Sequence, residues 1–282
     1  MKNKNINTYK FHSFNSLHEF SSYLEACKPS SIFQGKRLSS EDTSEHTKKF
    51  AGTESFDDAT LKMKQGDKKN AKLLNKELKV NAPNLGIGTR KRGFNDIIGF
   101  VPCTGAYLAG SPLNMINMKN IPAKKKVITI VFDRGIDYTV KTKEIAEVSA
   151  RLINAIIGIE NAGKRVNLFL MTSFASDCSR SPKEAASYLV KVKDSGSLFD
   201  KQKFAYPLLN ASFLRRQMFK ALESEEGLTD EAFTSTHGRV PGKEVIESIL
   251  KGKRFEYDAL FTFYDIRYKN EAGIKDMIEK GK

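Results

Sequence analysis

Residues 127–133 read VITIVFD, a β-branched apolar run that ends in an acid and a turn. Behind the turn, Ile145, Val148, Leu152, Ile156 and Ile159 recur along one stripe, which predicts a helix over about 142–161. Asn161-Ala-Gly163 ends it, and a second apolar run, RVNLFLM at 165–171, follows at once. Strand, helix and strand at this spacing make a βαβ unit, two parallel strands joined by a right-handed crossover. A parallel pair must be covered on both faces, so this one feature commits the chain to an α/β layer architecture.

The alternation predicts more of the same downstream. Ser181-Pro-Lys-Glu184 reads as the start of a short helix, and YLVKVKD (188–194) as a third strand. A long helix is expected over about 200–224, and Pro241 stands where the first residue of another helix would be. YDALFTFYDI (257–266) reads as a last strand before a helix over about 269–280. The predicted fold of residues 124–282 is therefore α/β: a three-layer, mostly parallel sheet with helices on both faces.

Residues 1–123 read as a basic region, mainly helical and irregular. Ser16-Leu-His-Glu19 has the capping-box spacing, with Leu17, Phe20 and Leu24 behind it. The Ser-rich stretch 28–49 reads as a loop or mobile linker. Ser55 is a helix N-cap with Asp57 and Asp58 in the first turn, Gly66 is its C-cap, and a lysine-rich helix over about 67–79 buries Ala71, Leu74 and Leu78. Residues 80–123 lack periodicity, but VPCTGAYLAGSPLNMINM within them carries enough apolar residues to be ordered irregular chain.

Charge is where composition matters. The net charge is +14 over 282 residues, and it is uneven: residues 1–126 hold 22 Lys and Arg against 11 Asp and Glu, while the remainder holds 25 against 22. Such asymmetry points to a polyanionic partner, most often nucleic acid, or else to a lysine-rich solvated surface. No stretch approaches the roughly 18 apolar residues of a membrane span, and the N-terminus MKNKNINTYKFHSF lacks the apolar core of a secretory signal. Cys27, Cys103 and Cys178 are scattered, which suits a reducing compartment and neither a disulfide framework nor a zinc site.

Three sets of residues could carry function. LGIGTRKRGFN has the G-x-x-x-x-G spacing of a phosphate loop, but Phe94 and Asn95 stand where Lys and Ser or Thr are needed, which excludes a nucleotide-hydrolysing loop. It leaves Arg90, Lys91 and Arg92 as an exposed basic cluster. With Lys124, Lys125 and Lys126, and Lys68, Lys69, Lys72 and Lys76 along one helix, it could grip a phosphate backbone. No aromatics interleave with these clusters, so little sequence preference is expected. Second, Asp133, Asp194 and Asp265 each end or nearly end a predicted strand, where they could converge on Mg²⁺ for phosphodiester chemistry or simply cap helices and turns. Third, Arg215 or Arg216 could pair with such a strand-end acid or bind a partner's phosphate or carboxylate. His12, His18, His46 and His237 show no ligand spacing, and Ser173, Ser176 and Ser179 form no nucleophile elbow.

Two resemblances follow. The unit VITIVFD…EIAEVSARLINAIIGIENAGKRVNLFL resembles the start of a von Willebrand factor A-type domain, in which D-x-S-x-S at the end of the strand holds a divalent cation. The equivalent residues are Asp133-Arg134-Gly135-Ile136-Asp137, with the acid kept and both serines replaced, so the resemblance implies an A-domain-like scaffold whose metal site is absent or remodelled. FAGTESFDDATLKMKQGDKKNAKLL, FVPCTGAYLAGSPLNMINM, the βαβ unit and YPLLNASFLRRQMFKALE, in that order, are similar to an uncharacterised family of tailed bacteriophages. The expectation is a non-enzymatic phage protein in the host cytoplasm or the virion. It would bind nucleic acid or another polyanion through its basic surface, without a cofactor or a membrane. The alternatives are a Mg²⁺-dependent phosphodiester enzyme using the three aspartates, and an assembly component whose partner surface is an exposed apolar patch.

Overall fold

The computed structural model describes residues 8–77, 90–99, 101–121, 127–161, 164–197, 200–269 and 273–274. The elements begin with β1 (Thr8–Phe14), α1 (Leu17–Ala26), α2 (Glu45–Ala51), α3 (Phe56–Gln65) and α4 (Lys68–Glu77). They continue with β2 (Arg90–Asp96), β3 (Val101–Pro102), α5 (Thr104–Leu108) and β4 (Met115–Ile121). The βαβ unit is β5 (Val127–Asp133), α6 (Thr142–Asn161) and β6 (Arg165–Ala175), followed by β7 (Glu184–Lys193) and α7 (Lys201–Leu209). A π-helical segment (Phe213–Met218) leads into α8 (Phe219–Glu223), and α9 (Glu231–Thr236), α10 (Lys243–Gly252), β8 (Ala259–Thr262) and α11 (Phe263–Arg267) complete the order.

The main sheet has the strand order β1-β7-β6-β5-β8, and only the β6–β7 pair is antiparallel. Both faces are buried, as the unbroken apolar runs require. On one face Ile130, Phe132, Leu168 and Leu170 pack under α6, whose stripe Ile145, Val148, Leu152, Ile156 and Ile159 is buried as its spacing predicted. On the other, Val131, Met171, Leu189 and Leu260 meet Val245, Ile246, Ile249 and Leu250 of α10. The three-layer, mostly parallel α/β architecture is thus present.

Several local expectations change. No helix starts at Ser181: residues 176–183 are a hairpin connection, too short for the dozen or so residues of a parallel crossover, so β7 returns antiparallel. Glu184 instead accepts hydrogen bonds from the backbone N–H groups of Thr229 (2.8 Å) and Asp230 (3.1 Å). The helix expected over 200–224 is broken at Asn210, whose extended backbone ends α7. The N-terminal residues 8–14, which show no strong strand pattern, pair parallel with β7 and form the sheet's edge, so the main sheet draws on both sides of residue 123. Residues 90–121 are not irregular: β2, β4 and β3 form a separate antiparallel sheet carrying α5. Leu78 and most of the helix expected over 269–280 lie outside the described residues.

Local capping follows the sequence closely. The Ser16 hydroxyl accepts from Glu19 N–H at 3.1 Å, although the Glu19 carboxylate reaches the Asn15 N–H (2.7 Å) rather than that of Ser16. Ser55 caps α3 through Asp58 N–H at 3.1 Å, and Gly66 ends it at φ +90°.

The stretch 28–49 is held rather than left as a linker. Arg216, fully buried, donates to the carbonyls of Ser40 (2.9 Å), Asp42 (3.1 Å) and Thr53 (2.9 Å) and to the Thr53 hydroxyl (2.9 Å). Glu223, also buried, accepts from Ser40 through both its N–H and its hydroxyl, and its own carbonyl takes Ser30 N–H at 2.8 Å. Arg134 and Arg215 act in the same way: Arg134 donates to the carbonyls of Pro207 and Asn210, and Arg215 to those of Phe50 (2.6 Å) and Val140 (3.2 Å). Each guanidinium satisfies backbone acceptors that no regular ladder reaches.

Candidate functional site

The carboxyl ends of β5 and β6 are where an α/β sheet places ligands, and Asp133 lies there. It is 1 % exposed. One carboxylate oxygen accepts from Gly135 N–H at 3.3 Å and the other has no partner among the described residues. Burial pushes its pKa up to about 7, with the Gly135 N–H opposing. Such a shift can mark a functional carboxyl, but Gly135 and Val240 close over this one. A Cβ at position 135 would stand 2.9 Å from the Asp133 carboxylate and 2.7 Å from a Val240 methyl. The serine of the D-x-S-x-S pattern has no room there, and the neighbouring Arg134 is a fully buried cation. These residues do not fit a cation site of the A-domain type.

The other two aspartates do not join Asp133. Asp133 pairs with Met171, which pairs with Leu189, and Asp194 lies five residues further on, just past the end of the antiparallel β7 and roughly 16 Å down the sheet at ~3.3 Å per residue. There it is ion-paired to Lys191 and accepts from Gly196 N–H (2.8 Å), which together lower its pKa, the lysine contributing most. Asp265 is at the same end as Asp133 but serves α11: it accepts from Thr262 N–H (3.0 Å) while the Thr262 hydroxyl takes its own N–H, a reciprocal capping box, and Lys243 lies 3.3 Å away. Among the described residues no three His, Cys, Asp or Glu side chains are grouped to hold a metal ion.

Of the basic residues, Lys68, Lys69 and Lys72 are exposed along α4 and make no ion pair among the described residues. Arg90, Lys91 and Arg92 belong to strand β2 rather than to a loop. Their side chains and that of Lys76 lie outside the described residues, as do Lys124, Lys125 and Lys126. Arg215 and Arg216 meet no strand-end acid among the described residues; their partners are the carbonyls and the Thr53 hydroxyl already named.

The structure adds a cleft that the sequence does not announce. Its floor is Thr172, Ser173 and Phe174 of β6 with Leu214 and Arg215 of the π-helical segment; its mouth carries His46, Asp137, Tyr138 and Arg239. His237 stands in one wall in a left-handed conformation (φ 58°), its Nε2 3.1 Å from buried Glu223 and its ring stacked on Phe219 with centroids 4.0 Å apart. Five separate segments contribute, which is why no motif foretold it. Only the structure marks the place: FLRRQM forms a π-helical turn with all six residues buried, and such turns are frequent at functional sites.

Fold and site together define a mixed, mostly parallel α/β protein with buried arginine clasps and a cationic cleft beyond the strand ends. The chain belongs to the family described as a domain of unknown function, DUF7192, whose model matches residues 2–277. No curated protein and no solved structure matches it. No helix among the described residues is long and apolar enough to cross a membrane.

Proposed function

We propose that this chain is a non-enzymatic interaction protein that docks onto a protein partner through the small sheet and its helix, residues 90–121. One observation carries this. Ile97, Ile98, Val101, Tyr107, Leu108 and Leu113 are between 44 % and 79 % exposed, all within one short stretch. Each such side chain gains roughly 1.5–3 kcal/mol on full burial, and monomeric proteins seldom display apolar residues in this concentration. The likeness to a tailed-phage family suggests that the partner is another phage protein, met in the host cytoplasm or the virion. The parallel β5–α6–β6 unit with Asp133 at its end supports an A-domain-like scaffold for this role, one that works without a metal.

A photo-crosslinking residue placed at position 98 or 108 in infected cells should yield one dominant phage-encoded adduct, and the same residue at Leu61, exposed on α3, should not. Equal, diffuse labelling from all three positions would remove the docking reading.

A second reading, polyanion binding, is favoured by Lys68, Lys69 and Lys72 of α4, which make no ion pair among the described residues. Fluorescence anisotropy with duplex DNA, single-stranded DNA and RNA over a salt series tests it. If Lys68, Lys69 and Lys72 each neutralise a phosphate, their replacement by Gln lowers the slope of log K against log salt by about 3. Absence of binding at low salt retires this reading.

A further inference from the structure

We propose that the cleft beyond the ends of β5 and β6 binds a small organic anion, a phosphate or carboxylate on a compact apolar body. Its volume is about 340 Å³, at the small end of ligand pockets. Three observations converge on the sign of the ligand.

First, the cations outnumber the acids. Among the described residues Asp137 is the only carboxylate in the lining, and it is at the mouth, its oxygen taken by Thr139 N–H at 2.9 Å. Against it stand Arg215 and Arg239. Arg215 is nine-tenths buried, stacked over Phe50 at 3.8 Å, and its described partners are neutral carbonyls, so its charge has no counter-ion among the described residues. Desolvation lowers its pKa to about 10, which still leaves it protonated at neutral pH.

Second, Arg239 is delivered to the mouth from a fixed point. Its backbone bonds Ala175 in both directions, N–H to carbonyl at 2.7 Å and carbonyl to N–H at 2.9 Å. Its side chain is exposed and makes no ion pair among the described residues. A planar guanidinium anchored in this way suits bidentate contact with carboxylate or phosphate oxygens.

Third, the floor holds an unused donor. The Thr172 hydroxyl is fully buried in the lining and has no hydrogen-bond partner among the described residues. Buried hydroxyls are ordinarily satisfied, and a ligand oxygen would satisfy this one. Phe174, Leu214, Phe219, Ile136 and Val240 give the lining an apolar side that suits the ligand's body rather than bare phosphate. Glu223 does not cancel the site, because its carboxylate is spent on Ser40 and His237.

Isothermal titration of the full chain with phenyl phosphate, benzoate and inorganic phosphate tests the proposal. Saturable one-to-one binding of phenyl phosphate or benzoate is expected, with whichever binds tighter naming the anionic group, and bare phosphate weaker than phenyl phosphate. Arg239→Gln, a change at an exposed side chain, should weaken binding by at least about tenfold, the loss expected for a charge-assisted contact. Thr172→Val should weaken it less, and Lys253→Gln, an exposed residue outside the lining, should leave it unchanged. No saturable binding of any probe up to about 10 mM, or equal affinity in Arg239→Gln and the parent, would overturn it.

Discussion

Asp133→Asn is expected to stabilise the protein at alkaline pH by roughly 2–4 kcal/mol and to leave it nearly unchanged in mild acid. In the unfolded chain this carboxyl titrates near 3.8, whereas in the fold burial raises it to about 7. Between those values the folded state binds a proton that the unfolded state has released, so stability falls as pH rises through this window. Above it, the buried carboxylate is charged in both states and the fold bears the full penalty, about 1.4 kcal/mol for each pH unit of the shift. Asparagine removes the charge and keeps an acceptor for Gly135 N–H, though its new N–H₂ group finds no partner, which trims the gain. Urea unfolding of the parent and the variant at about pH 4 and pH 8.5 measures this: the two should converge at the lower pH and separate at the higher. A gap of equal size at both values would show that the buried carboxyl is not what titrates. Stabilisation of the parent by millimolar Mg²⁺, lost in the variant, would restore the metal reading that the geometry opposes.

Arg216→Ala should cost about 3–5 kcal/mol, the range expected when a buried, fully hydrogen-bonded charge is removed and its acceptors are stranded. Four hydrogen bonds disappear, to Ser40, Asp42 and both oxygens of Thr53. Among the described residues outside the stretch no other bonds it at so many points, so its loss should free residues 28–53 before the sheet melts. Limited proteolysis would then cut within 36–49 in the variant and not in the parent, at a protease level that leaves the sheet intact. Arg216→Lys cannot rescue it, because one ammonium cannot span acceptors that a planar fork reaches in two directions. A cost below about 1 kcal/mol would mean that the stretch is held by Glu223 and Ser40 alone.

The two residues illustrate different limits of reading a sequence. That Asp133 ends a strand was legible in VITIVFD, as was the whole of α6 from its stripe, and Ser16 and Ser55 from their spacing to the acids behind them. These are local facts, governed by backbone sterics, side-chain periodicity and hydrogen bonds within one turn. Arg216 was visible only as one of two arginines between apolar residues; that it clasps a loop 170 or so residues earlier in the chain depends on contacts no local pattern encodes.

The sequence by itself determined that a parallel, two-sided α/β sheet must form, because a βαβ unit with unbroken apolar strands has no other way to bury both faces. It also determined the helices whose caps and stripes are complete within a few residues. Tertiary structure alone decided the rest. The short 176–183 connection turned β7 antiparallel and so carried Asp194 away from Asp133. Residues 8–14 found the free edge of β7, and His46, Arg215, His237 and Arg239 were gathered from three segments around one cleft. Strand direction, edge pairing and the meeting of distant side chains are settled by which surfaces remain to be covered once the local elements exist, and that is a property of the whole chain.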